Sequence, residues 1–310
     1  MTNQKNSRKE IPGVAYAMAA YIFWGFLPLF WKALSQVPAG EILAHRVIWS
    51  FLFVAVLLLA SGRWGELKTI VVQRSKMLGV FLGAIFVSFN WFIYIWAVNS
   101  SHIVEVSLGY YINPLINVAF GLLFLKEKLN FWQSVSLILA AIGVGIITLQ
   151  YGSIPWVALS LAVTFGLYGL AKKMTNIDAI VSLVLETAFI LPVALIYVYY
   201  VQSMGVGFYG TGSWNITILL TCAGVVTALP LLLFAQGTRK VTLSTMGFIQ
   251  YFSPSISLLI GVFVFKEAFT AAHALSFGII WAALGIYALS RTPLLDKLIP
   301  ERWLKAEQES

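Results

Sequence analysis

Apolar residues fill this chain in long blocks, and polar residues gather in the short intervals between them. A helix needs roughly 20 apolar residues to cross a ~30 Å hydrocarbon layer. Ten blocks approach or exceed that length: residues 11–32, 41–60, 77–98, 103–124, 131–149, 154–171, 180–201, 216–235, 241–265 and 270–290. The longest intervals, 61–76 and 202–215, are too short to fold alone. The pattern therefore predicts an all-α polytopic membrane protein of ten transmembrane helices, with function residing in the helices themselves.

Composition agrees with lipid as the solvent. Sixty per cent of residues are hydrophobic and only 10% are charged, against roughly 25% charged in soluble domains. The net charge of +8 reads as topology and not as nucleic-acid binding. With the N-terminus in the cytoplasm, the inside segments hold 17 of the 20 Lys and Arg residues, as cytoplasmic loops do. The exceptions are Lys32, Arg46 and Lys266. This bias predicts an even number of spans with both termini cytoplasmic. The first apolar block follows Lys5, Arg8 and Lys9 but is too long for a signal-peptide core, so it reads as the first span. Residues 1–10 and 291–310 read as cytoplasmic tails. In the second, Leu294, Leu295, Leu298, Ile299, Trp303 and Leu304 have near-helical spacing, which suits an interfacial helix or a frayed tail.

A duplication organises the spans. Tyr111-Ile-Asn-Pro114, Gly121 and Lys126-Glu127 recur as Tyr251-Phe-Ser-Pro254, Gly261 and Lys266-Glu267, at a constant offset of 140. Trp24-Gly25 matches Phe165-Gly166 at an offset of 141, which also sets Pro28 against Gly169 and His45 against Glu186. The halves are residues 11–149 and 154–290. Each holds five spans, and an odd number inverts the second half. Lys126-Glu127 then falls inside and Lys266-Glu267 outside. Inverted five-helix repeats suit a secondary transporter working by alternating access.

Polar residues at membrane depth are costly and mark candidate sites. Glu41, His45 and Trp49 are spaced i, i+4, i+8 on one face of the second span. Arg46 lies beside that face, roughly 7–8 Å deeper than Glu41 at 1.5 Å per residue. Such a cation needs a carboxylate, freed carbonyls or a water-filled cavity. It could bind an anionic substrate group, with His45 or Glu186 carrying a coupling proton; an ion network that fixes helix packing is the other reading. Asn90, the pair Asn113 and Asn117, and Gln250 with Ser253 and Ser257 suit either a polar midplane site or interhelical hydrogen bonding. Pro114 and Pro254 lie among them. Glu105 lies close to the outer boundary and reads as structural.

Aromatic residues supply the remaining candidates. Trp24 and Tyr111, with Tyr21, Trp31, Trp91, Tyr94, Trp96 and Tyr110, lie on spans that also carry the polar residues. They would suit an aromatic, amphipathic or cationic solute, although packing and interfacial roles are open to each. The single cysteine, Cys222, and the separated His45, His102 and His273 predict neither a disulfide nor a metal, and no cofactor is expected. No Gly-x-Ser-x-Gly, His-Glu-x-x-His or Walker-type loop occurs, so a membrane enzyme and an ATP-driven pump are disfavoured. A passive channel or scramblase remains an alternative to a permease. The expected partners are a small-molecule substrate, a coupling proton and the lipid bilayer.

Several motifs carry a family resemblance across residues 14–289. They are Glu41-Ile-Leu-Ala-His45-Arg46-Val-Ile-Trp49-Ser50, Asn90-Trp91, Ser107-Leu-Gly-Tyr-Tyr-Ile-Asn113-Pro114, Leu185-Glu186-Thr187, Ser244-Thr-Met-Gly247-Phe248 and Gln250-Tyr251. Together they resemble the RarD branch of the EamA-type drug/metabolite transporters. The resemblance implies a bacterial inner-membrane permease with a central cavity between two five-helix halves. The branch name is linked to chloramphenicol sensitivity, and wider relatives export amino acids and other metabolites or carry nucleotide sugars. Glu41, His45, Arg46, Trp49, Asn90, Asn113, Pro114, Glu186 and Gln250 fit the family motif positions.

Overall fold

The computed structural model describes residues 2–99, 102–152, 154–211, 213–266, 271–290, 292 and 295, with the side chains of 2–10, 95, 98, 99, 103, 104, 151 and 272 outside the description. The helix proposed for the tail 291–310 thus lies outside the described residues. Twelve helices are found among them, and no strand. They are α1 (Thr2–Lys32), α2 (Ala39–Ala60), α3 (Trp64–Val71), α4 (Arg74–Asn99), α5 (Ile103–Phe124), α6 (Phe131–Tyr151), α7 (Trp156–Thr175), α8 (Ala179–Ser203), α9 (Trp214–Lys240), α10 (Leu243–Gln250), α11 (Phe252–Phe263) and α12 (Ala271–Leu289).

Among the described residues, nine helical stretches are long and apolar enough to cross a membrane, with Leu243–Phe263 counted as one; the apolar stretch His273–Leu289 is shorter. The expected ninth span is thus two helices. Pro254 has no N–H to offer the Gln250 carbonyl, and the helix breaks beside it, at Tyr251. Elsewhere local chemistry sets the ends. Asn130 and Gln133 form a reciprocal capping box at the start of α6, and Gly152 closes that helix at φ 80°.

Asp178 accepts from the Ile180 N–H at the start of α8. It also pairs with Arg63 and, at 3.4 Å, with Arg239. Burial pushes the Asp178 carboxyl up, but Arg63 and the backbone N–H groups outweigh this and hold it below its ordinary value.

Helix α5 packs on α7, α4 on α7, α1 on α9 and α11, α6 on α12, and α2 on both α8 and α9; α4 meets α8 less extensively. The largest apolar core, which includes Tyr21, Leu58, Val80, Tyr168, Phe234 and Met246, fills the half of the bundle at the face where α1 begins. The opposite half holds smaller clusters and leaves Trp96 and Tyr110 about half exposed. Lys126 and Lys266, 140 residues apart, both adopt positive φ, at 52° and 59°.

Candidate functional site

Arg46 sits about two turns inside the start of α2, where side chains from several helices converge. Its Nε donates to Thr227 Oγ1 on α9 at 3.0 Å. Its guanidinium carbon lies 4.8 Å from the Trp31 ring centroid on α1 and 5.1 Å from that of Trp91 on α4. Tyr94 and Tyr110 are within electrostatic range. Among the described residues no carboxylate pairs with Arg46. The side chain is half-buried, so the Nη donors have not been sealed away in protein. The indole faces attract the cation electrostatically, and Thr227 fixes its orientation. Neither supplies a counter-charge.

The other residues on that face of α2 are used differently. Glu41 Oε1 accepts from the N–H groups of Phe208 at 2.8 Å and Tyr209 at 3.1 Å, which ties α2 to the segment between α8 and α9. His45 Nε2 lies 4.0 Å from Glu41, and the imidazole stacks on Tyr209 at 4.5 Å between centroids. Neither His45 nitrogen has a hydrogen-bond partner. Trp49 is 6.0 Å from Tyr209, and its backbone lies so close to Gly224 on α9 that any Cβ there would collide with it. Beside this contact Ser50 donates to the Gly224 carbonyl at 2.9 Å.

Glu186 belongs to a second, separate cluster. Its Oε1 pairs with Lys172 Nζ on α7 at 2.5 Å and accepts from Ser182 Oγ at 2.8 Å, while Oε2 accepts from Tyr168 at 3.2 Å. Both charged side chains are almost fully enclosed, at 4% and 2% exposure.

Asn113, Asn117 and Gln250 form a third group. Asn117 Nδ2 donates to Asn113 Oδ1 at 3.1 Å and to Gln250 Oε1 at 2.6 Å. Gln250 Nε2 donates to Asn113 Oδ1 at 2.7 Å, and Asn113 Nδ2 to the Ala162 carbonyl at 3.0 Å. The Asn117 Oδ1 atom has no partner. This amide triangle bridges α5 and α10 beside the break at Tyr251. Asn90 donates to the Leu161 carbonyl and to Thr164, joining α4 to α7. Trp24 packs among Tyr21, Phe165 and Phe234, and Tyr111 lies edge-on to Phe277 at 5.2 Å.

The structure therefore divides the candidates. It gathers Arg46, Trp31, Trp91, Tyr94 and Tyr110 into one place. It puts Glu41, His45 and Trp49 against Tyr209, Glu186 against Lys172, and the three amides against one another. Sequence reasoning missed Thr227 and Lys172. Thr227 carries no sequence signal. Lys172 stands beside Lys173 at a span end and so reads as a loop lysine, yet it turns inward to 5% exposure.

Comparison with known proteins agrees with this architecture. The EamA-like transporter family matches residues 11–149. An uncharacterized transporter, YojE, of Bacillus subtilis is 49% identical over 90% of this chain and 94% of its own length. An uncharacterized transporter of Vibrio cholerae is 44% identical over 93% of this chain and 95% of its own. The protein RarD of Escherichia coli is 40% identical over 92% and 96%. A solved crystal structure, 18% identical, shares the fold with a TM-score of 0.69 over 90% of this chain and 98% of that one. With an all-helical bundle, membrane-length apolar helices and full-length relatives at such identity, the chain belongs to the EamA-type transporters, in the RarD branch.

Proposed function

We propose that this membrane transporter is a secondary-active permease for a small amphipathic metabolite or drug, aromatic or amino-acid-like, and that it works by alternating access in the bacterial cytoplasmic membrane. The observation that carries the reading is Arg46: a cation about two turns inside its span, held by two indoles and a hydroxyl, with no carboxylate partner among the described residues. An uncompensated charge at that depth is costly, and such residues face a cavity or a substrate path.

The helix neighbours support an inverted pair of halves, residues 11–149 and 154–290. Under the exchange of α1 with α7, α2 with α8, α4 with α9, α5 with α10–α11 and α6 with α12, the pairs α4–α7 and α1–α9 interchange. So do α5–α7 and α1–α11, while α2–α8 and α6–α12 map onto themselves. One pair is unequal: α2 on α9 is extensive and its counterpart, α8 on α4, is not. Gly83 in α4 corresponds to Gly224 in α9 at the offset of 141. In the opposite conformation the unequal pair trades roles, with α4 closing on α8 at Gly83 while α2 leaves α9. The distribution of Lys and Arg supports cytoplasmic termini. His45 and the Lys172–Glu186 pair are the candidates for a coupling proton.

A thermal-shift screen of the purified protein tests the reading. The panel holds amino acids, aromatic metabolites, nucleosides and chloramphenicol. A ligand at 100 times its Kd stabilises by about 2.7 kcal/mol. The expected result is a hit that Arg46→Ala abolishes while the protein stays folded, followed by saturable counterflow of that compound in proteoliposomes. Unchanged flux in well-folded Arg46→Ala refutes the assignment of Arg46. Unsaturable flux favours the passive channel or scramblase instead. A membrane enzyme is the weaker alternative: it would convert the compound chemically.

A further inference from the structure

We infer that the permease's ligand is an organic anion without a compensating ammonium group: a carboxylate on a flat aromatic body. This rests on the permease reading above and narrows its substrate class.

The charge census around Arg46 carries the inference. A zwitterion or a cation needs an acceptor for its ammonium. Within the spans Glu41 is 1% exposed and Glu186 is 2% exposed. Glu41 gives Oε1 to the Phe208 and Tyr209 amides and keeps Oε2, which has no partner, buried away from any ligand, while Glu186 is committed to Lys172, Ser182 and Tyr168. Glu105, 7% exposed, accepts from the Val157 N–H. These enclosed carboxylates leave no pairing site for an ammonium beside Arg46 among the described residues. The guanidinium is the reverse case, half-buried and uncompensated. With Nε taken by Thr227, its free donors are on the two Nη atoms, a geometry that matches a planar carboxylate.

A second observation points the same way. Lys32, one residue from Trp31, is exposed and has no carboxylate partner among the described residues. Its ammonium lies 5.7 Å from the Phe265 ring. Lys32 and Arg46 are two of the three basic residues that break the topological charge pattern, and Trp31 connects them. Two cations without carboxylate partners, joined through one indole, favour the approach of an anion. The indoles of Trp31 and Trp91 and the phenol of Tyr110 provide flat faces for an aromatic body.

The test compares phenylacetate, phenylacetamide, phenylalanine and phenethylamine, together with the four naphthyl counterparts, on purified protein. The readouts are thermal shift and quenching of tryptophan fluorescence. The expected result is that the carboxylates bind at least about tenfold more tightly than the amides, zwitterions and amines, as the loss of one charge-assisted contact implies. Arg46→Gln abolishes that preference and Arg46→Lys restores part of it. The ranking in wild-type protein decides the matter even if Arg46→Gln does not fold. An amide, zwitterion or amine that binds as well as its carboxylate overturns the anion assignment, and if that binding needs Arg46 the permease reading stands. Wild-type protein indifferent to all eight compounds also overturns the inference, while saturable counterflow of another solute would still uphold the permease.

Discussion

Removing one member of the Lys172–Glu186 pair should cost far more than removing both. The two side chains are 4% and 2% exposed and 2.5 Å apart, with Ser182 and Tyr168 completing the hydrogen bonding. Glu186→Gln keeps the shape of the side chain but strands the Lys172 ammonium in an enclosed site with no other counter-charge among the described residues. Breaking a buried pair in this way costs roughly 3–5 kcal/mol, whereas replacing both partners is often close to neutral. Lys172→Met alone should cost a similar amount, and Lys172→Met with Glu186→Gln should recover most of the loss. A double-mutant cycle on thermal or denaturant unfolding in detergent therefore gives a coupling energy of several kcal/mol. Single variants within 1 kcal/mol of wild type would falsify the enclosed-pair reasoning. Flux separates two roles for the pair. If it only holds α7 to α8, the folded double variant transports normally; if it carries a coupling proton, that variant keeps its fold and loses uphill transport.

Three further outcomes are expected. Asp178→Ala should cost ~1–2 kcal/mol by removing the cap of α8, whereas Asp178→Asn keeps a capping acceptor and loses only the charge. Because the folded Asp178 carboxyl is held low, its contribution is complete above the unfolded value near 3.9 and disappears as pH falls through the lower folded value; acid unfolding of Asp178→Asn should lack that step. Gly224→Ala should cost about 1–3 kcal/mol, since its methyl has no room against Trp49. Gly83→Ala meets its nearest atom, Glu186 Oε1, at an ordinary 3.4 Å, and so should leave the melting midpoint intact while lowering flux, because under the proposed exchange of halves Gly83 is the contact that closes. Normal flux in Gly83→Ala would count against the exchange of halves.

What could be read from the chain was what depends on local cost. Arg46 was conspicuous because a guanidinium at that depth is expensive wherever its neighbours are. The Asn113–Asn117 spacing put two amides on one helix face, whereas the break at Tyr251 was not read from the chain, since residues 241–265 read as one span and α5 continues unbroken through Pro114. What could not be read depends on which distant segment arrives. Glu41 belongs to the face that carries His45, yet its use is decided by two backbone amides 167 and 168 positions away. Lys172 and Lys173 are neighbours in sequence, but a helix turns about 100° per residue. One therefore enters the bundle toward Glu186 while the other reaches the Val241 carbonyl. The repeat offset linked His45 to Glu186, but that correspondence relates equivalent places in two halves and does not imply contact.

The amide triangle beside Tyr251 has one more consequence. Each of Asn113, Asn117 and Gln250 carries both donors and an acceptor, so the three groups are interchangeable partners. One acceptor, Asn117 Oδ1, is idle. A sliding-tile puzzle moves because a single square is vacant, and the idle acceptor has that role here. If the proposed alternating access tilts α10 on α5 at the broken helix, one amide contact can be exchanged for another without stranding a polar group in hydrocarbon. On that proposal the triangle would hold the joint together as a bearing does, fixing the axis while leaving it free to turn.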